Sequence, residues 1–185
     1  DIFIVYSVDV TVYGADRKAL DSDAEEKIIK KVNDNNIMLS KAVRYKEPKP
    51  SRDRMGSRPV IIGFGPAGMF CALMLARAGY RPVVVERGEA VEDRMKSVDS
   101  FWNGGRLNPE SNAQFGEGGA GTFSDGKLNT QVKEVYGRIS KVLEIFVEHG
   151  ADESITYEAK PHIGTDRLVY IVQSIRKEIE SLGGE

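Results

Sequence analysis

Residues 59–88 read PVIIGFGPAGMFCALMLARAGYRPVVVERG. Val60, Ile61 and Ile62 form a short apolar run, as a buried parallel strand requires. Gly63, Gly65 and Gly68 follow at G-x-G-x-x-G spacing, with Pro66 and Ala67 between them. From Ala67 to Ala78 the apolar residues Met69, Ala72, Leu73, Leu75 and Ala76 recur at helical spacing, and Gly79 ends the run. Val83, Val84 and Val85 then predict a second buried strand, closed by Glu86. The whole is a βαβ unit of about 30 residues, the size of a dinucleotide-binding fingerprint.

Each residue type has a chemical reason. Gly63 permits the tight turn out of the first strand, Gly65 lets a pyrophosphate approach the backbone, and Gly68 lets the helix pack closely on the sheet. The helix N-terminus offers unpaired N–H groups and the positive end of a dipole to phosphate. Glu86, 18 residues after Gly68 (86 − 68), is placed to accept hydrogen bonds from a ribose diol, and its charge argues against a 2′-phosphate and so against NADP. A bare glycine cluster in another α/β turn would lack the strand before, the helix after and the acid at the second strand end. The pattern alone does not separate FAD from NAD.

The remaining chain is organised around this unit. Residues 1–46 read as a small α+β unit: strand over Ile2–Tyr13, a helix capped by Ser22 with Glu25 and carrying Ala24, Ile28, Ile29 and Val32 on one face, and further strand over Ile37–Tyr45. Residues 47–58, with Pro48, Pro50, Gly56 and several basic side chains, read as a linker. Residues 59–185 read as the nucleotide-binding domain. A helix is expected over Glu89–Trp102, with Arg94 reaching either a cofactor phosphate or a surface carboxylate, and with Trp102 packed in the core rather than stacked on a ring. Helices are also expected over Val132–His149 and from Thr165 or Asp166 to Leu182, with a short strand around Ile155–Tyr157.

Asn103–Thr130 is the second unusual stretch, with Gly104, Gly105, Gly116, Gly118, Gly119, Gly121 and Gly126. Ordering so many glycines has a large entropic cost, and a loop this long in a compact domain is usually functional or disordered. Phe115, Thr122, Phe123, Ser124 and Lys127 argue against a plain linker. Backbone N–H groups freed by glycine can ring an anion, with Thr122 and Ser124 adding hydroxyls and Lys127 a charge. The expectation is a second cofactor-contacting loop through Gly118, Gly119, Ala120, Gly121, Thr122, Ser124, Gly126 and Lys127.

The totals exclude several classes. A net charge of −2 gives no electrostatic case for nucleic acid. No apolar run has the length of a membrane span, and no zinc spacing, nucleophile elbow or Walker sequence is present, so no metal site is expected. The single cysteine, Cys71, reads as a small buried helix residue and fits a reducing cytoplasm. His149 reads as a helix C-terminal charge and His162 as a structural residue, with a flavin-side contact as the alternative. The sequence starts without Met and ends in a helix stop at Leu182-Gly183-Gly184, so it reads as a fragment in which Glu185 begins a further strand.

Gly63-Phe-Gly65-Pro66-Ala67-Gly68 followed by Glu86-Arg87-Gly88 resembles the FAD-binding start of glutathione-reductase-type flavoproteins. Gly88-x-x-Val91-x-x-Arg94 adds a pattern seen in some of them. The run from Pro109-Glu110-Ser111-Asn112 through Phe115-Gly116-Glu117-Gly118-Gly119 to Asn129, with Lys160-Pro161-His162-Ile163-Gly164, is similar to a narrower group. These are bacterial FAD-dependent dehydrogenases of largely unassigned substrate, related to aminoacetone-oxidase-like and bile-acid-reductase-like flavoproteins. The resemblance implies an α/β fold with an incomplete Rossmann-like FAD-binding core, FAD as cofactor, and contacts from Arg87 and Arg94. It further implies a cytoplasmic flavin-dependent oxidoreductase when full length, inactive as this piece. NAD(P)H could serve as electron donor at a site outside these residues. A flavin- or nucleotide-binding module without dehydrogenase activity, in RNA modification or regulation, is the alternative. Catalytic residues, substrate, electron acceptor and oligomer are not legible.

Overall fold

A computed structural model of the protein describes residues 7–40, 43–47, 49, 55–128, 130 and 132–185. By internal contacts the chain divides into two units, Asp1–Val43 and Arg44–Glu185.

Among its described residues the first unit holds one helix, α1 (Ser22–Val32). Asp21 caps it: its side chain accepts from the Ala24 amide at 2.9 Å, so the capping residue is Asp21 and not Ser22. Asn33 ends it in the left-handed region at φ 53°, a conformation that asparagine tolerates. No residue of α1 is buried. The strand expected up to Tyr13 lies partly outside the described residues. Within them it reduces to one antiparallel bridge, Tyr13 to Ala19, and the described part of Ile37–Tyr45 contains no strand. β-Forming residues need a partner strand to hold the conformation.

The second unit is built on the βαβ element. Strand β1 (Val60–Ile62) pairs in parallel with β2 (Val83–Val85), in register Val60 to Val83, Ile61 to Val84 and Ile62 to Val85. Helix α2 (Pro66–Arg77) crosses between them and buries Met69, Ala72, Leu73 and Ala76. Helix α5 (Thr165–Ser181) packs on α2 and buries Leu168, Val172, Ile175 and Ile179 on one stripe, with Val169 and Ile171 alongside. Each such side chain contributes roughly 1.5–3 kcal/mol on burial. Helix α4 (Arg138–Glu148) adds Ile145, and the Phe70 and Phe146 rings meet at 5.5 Å. Helix α3 (Val91–Trp102) leaves β2 and also touches α5.

The fold is therefore mixed α/β, with a short parallel sheet. The sheet is covered on one face only. Ile61 and Val84 pack on the core, whereas Val60 is 62% exposed and Ile62 80%, so the two-sided burial expected of both strands is not found. Glu185 makes the two hydrogen bonds of a further parallel rung: its amide donates to Pro82 O at 2.9 Å and its carbonyl accepts from Val84 N at 2.6 Å. Other expectations also shift. Helix α4 starts at Arg138, not Val132, and Ile155 sits in a 3₁₀ turn, Glu153–Thr156, rather than a strand. The Asp152 side chain accepts from the Ser154 amide, a local bond that favours a turn. Trp102 is 61% exposed rather than packed in the core, and Cys71 is exposed rather than buried.

Candidate cofactor-binding site

The three fingerprint glycines sit in three different circumstances. Gly63 has φ +88°, which a residue with a Cβ adopts only under strain. A Cβ on Gly68 would lie 2.0 Å from the Gly63 carbonyl oxygen, so glycine there lets α2 approach the loop closely. Gly65 has neither reason. Its backbone is extended, at φ −73° and ψ −177°, and a Cβ would meet only the Gly119 Cα, at 3.9 Å. Helix α2 starts directly after it with Pro66 at its first turn and no side-chain cap, so its first N–H groups are left for something other than a capping side chain.

Glu86 is tied to this loop. Its carboxylate accepts from the Phe64 amide at 2.6 Å and from the Gly88 amide at 2.9 Å. A carboxylate has about four lone-pair sites, so two remain for a ligand. A cleft of about 270 Å³ opens beside it, with Phe64, Val84, Ile179, Glu117 and Arg176 in its wall.

The second glycine-rich loop lies against the first. The Gly118 amide donates to Phe64 O at 2.8 Å. A Cβ on Gly119 would lie 2.9 Å from Pro66 Cδ and 3.3 Å from Gly65 Cα. Gly118 has φ +85°, and a Cβ there would sit 2.2 Å from the Thr122 hydroxyl oxygen. Ala120–Phe123 forms one 3₁₀ turn. Gly121, in that turn, is exposed, has ordinary φ and meets nothing within 4 Å of a Cβ.

The side chains expected to be free donors in this loop are placed otherwise. Thr122 is buried. The Ser124 hydroxyl donates to Gly121 O at 2.7 Å. Lys127 Nζ pairs with Asp125 at 2.7 Å. The loop end is pinned by the 161–163 segment: Ile163 N donates to Gly126 O, and the His162 ring lies 2.8 Å from Asp125 O. Gly126 is required there because a Cβ would meet Ile163 O at 1.8 Å.

Arg94 is the largest departure from expectation. It is neither on the surface nor paired with a carboxylate at contact distance, but wholly buried. Its Nε donates to Asn112 O at 2.8 Å, and Nη2 to Ala113 O at 3.1 Å. Nη1 reaches Glu117 O at 2.6 Å, Gly119 O at 2.8 Å and Gly116 O at 3.3 Å. The guanidinium lies over the Phe123 ring at 4.7 Å. Burial holds its pKa below the ordinary arginine value, against the opposing charges of Glu86 and Glu117. Arg87, by contrast, is exposed. It sits over Phe115 at 4.4 Å and is 3.3 Å from Glu110.

Two residues of the assembly were given no role from sequence. The buried Glu117 carboxylate caps α3 by accepting from Val91 N at 2.6 Å, and takes Arg176 Nε at 2.8 Å. Arg176 also holds Glu92 through Nη2, at 2.6 and 2.8 Å. Burial pushes Glu117 above its ordinary pKa, offset in part by the Val91 amide and Arg176. Glu117 stands inside the glycine run, but nothing local marks Arg176 on α5 as its partner.

Residues 58–155 match the FAD binding domain family. The chain belongs to this family. A relative from Clostridium beijerinckii, named only as an uncharacterized protein, is 49% identical over 161 residues, which is 87% of this chain and 30% of the relative. The chain thus spans about 30% of the length of that curated relative. FAD is the cofactor of this FAD binding domain. The residues fit it: the space left by the missing Cβ of Gly65, an uncapped helix start and an acid at the end of β2 form a cradle of the right chemistry for a dinucleotide. Among the described residues no cluster suited to a metal ion occurs, and no helix is long and apolar enough to cross a membrane.

Proposed function

We propose that these residues form the FAD-anchoring part of a flavin-dependent oxidoreductase, a dehydrogenase of the bacterial group that the sequence resembles. The observation that carries the reading is Gly65. Neither backbone strain nor packing asks for glycine there: Gly65 is the N-cap of α2, where glycine is tolerated without a capping side chain, and it stands beside the second glycine loop with the space of its Cβ open. A ligand that needs the backbone surface supplies the reason. Bound FAD supplies a ring that accepts and releases hydride. The chain's own residues hold it. The first turn of α2 meets the pyrophosphate. Glu86 orients the adenosine ribose through its two remaining acceptor sites. The Gly118–Thr122 turn, with Gly121 open to solvent, lies along the ribityl or ring side. Ser124, Gly126 and Lys127 continue that wall.

The test is the cofactor extracted from the intact protein, together with Gly65→Val. The expected result is stoichiometric FAD in the wild type, reducible by a nicotinamide donor, and a folded variant without it. Intact wild-type protein that contains no flavin and takes up none overturns the proposal.

A further inference from the structure

We propose that Arg94 is the positioning residue of the second glycine loop: its buried guanidinium gathers the main-chain carbonyls of Asn112, Ala113, Gly116, Glu117 and Gly119 and so holds the loop in the shape that meets FAD. The inference rests on the reading that this loop contacts FAD.

A glycine-rich loop has few side chains to choose one conformation, and ordering it is entropically unfavourable. Here one rigid fork adds to the buried Glu117 and Thr122 side chains. Five carbonyls converge on one guanidinium, at 2.6–3.3 Å. A buried carbonyl without a donor is destabilising, so any conformation that turns these groups away from Arg94 is disfavoured. The fork is anchored on α3, and the Phe123 ring, beyond the last of those carbonyls, covers its face. Gly116 is matched to it: a Cβ there would lie 2.6 Å from Arg94 Cδ. The Gly116 carbonyl also accepts from the Gly119 amide at 3.0 Å, and the Gly118 amide, flanked by carbonyls that Arg94 holds, points outward to Phe64 O, where the two loops come into contact. A lysine would keep the charge but offers three donors from one point, not five in a plane.

The experiment uses the intact protein as Arg94→Ala and Arg94→Lys. Amide hydrogen exchange over residues 112–119 is read in the apoprotein, FAD affinity by fluorescence titration, and the bound-flavin absorption spectrum in parallel. Arg94→Ala should speed exchange in this segment and weaken FAD by roughly tenfold to a hundredfold, as misplacement of a binding group does. Added ethylguanidinium should restore both, and ethylammonium neither. Arg94→Lys, the milder change, should also exchange faster at 112–119 and show an altered flavin spectrum. Unchanged exchange at 112–119 in both variants overturns the role of Arg94, as does faster exchange with wild-type FAD affinity. Wild-type protein without affinity for FAD instead removes the cofactor reading on which the inference rests.

Discussion

The Phe64 main chain joins three parts of the site: its amide donates to Glu86 and its carbonyl accepts from Gly118 at 2.8 Å. The first loop, the end of β2 and the second loop are thus linked through the main chain of one residue.

Gly65→Val separates binding from folding. The extended backbone accepts a side chain, a Cβ has only Gly119 Cα at 3.9 Å for a neighbour, and the remaining cost is that valine is a poorer N-cap than glycine. The melting temperature of the apoprotein should stay within a few degrees of wild type, while FAD binding is lost. Flavin retained at the wild-type level in purified variant would show that no ligand occupies the space above Gly65.

Glu86→Ala should act on both loop and ligand. It removes acceptors from the Phe64 and Gly88 amides and, under the function proposed above, a charge-assisted bond to ribose worth roughly 1.5–3 kcal/mol. Thermal melts of the apoprotein report the first effect and calorimetric titration with FAD the second. An affinity change below about tenfold, or roughly 1.4 kcal/mol, would count against the ribose contact.

Gly118→Ala should loosen the second loop. The left-handed backbone opposes a Cβ by about 1–2 kcal/mol, and the added carbon overlaps the Thr122 hydroxyl, at 2.2 Å. Thr122→Ala in the same chain removes that overlap but not the backbone strain. The double variant should recover part of the lost stability and FAD affinity. Additive losses in the double-mutant cycle would mean that the two residues do not meet.

Acid should weaken the α2–α4–α5 junction in two stages. Arg77 grips Glu178 with Nε at 2.7 Å and Nη2 at 2.9 Å, and Glu148 at 2.8 Å. The Arg77 hydrogen bond holds Glu178 below its ordinary pKa. That stability is full above the unfolded carboxylate pKa and is lost as pH falls through the folded value. Glu178→Gln should therefore cost roughly 1–3 kcal/mol near neutrality, and the gap should close as pH drops below about 4. His149, hydrogen-bonded to Ser174 and 3.0 Å from Glu178 without the alignment of a hydrogen bond, is held below its ordinary pKa by burial. Its contribution is full above about pH 6.5 and falls on acidification. His149→Leu should flatten the upper part of the urea-midpoint profile and leave the lower part. A flat wild-type profile from pH 7 to 4 would refute both assignments.

The βαβ unit was legible because several of its residues answer to local geometry: Gly63 to a turn, Gly68 to a close approach, Val84 to a core. The second loop was legible as a place but not as a mechanism. Sequence shows Thr122, Ser124 and Lys127 as donors; their actual partners, a buried niche, Gly121 O and Asp125, depend on the folded path. Arg94 was misread as a surface or phosphate group because its acceptors are carbonyls, which every residue has and no motif records. In the described part of the first unit the expected strand reduces to the Tyr13–Ala19 bridge, because β-forming composition does not reveal where a partner segment lies.

Arg94 holds main chain, not side chains. Its grip uses only the carbonyls of Asn112, Ala113 and Glu117. Exposed side chains of the loop, such as Gln114, can be exchanged without unmaking its path, whereas Glu117, whose carboxylate caps α3 and holds Arg176, cannot. The outer surface of the loop is thereby uncoupled from the framework that fixes its path, which lies beneath it on a helix.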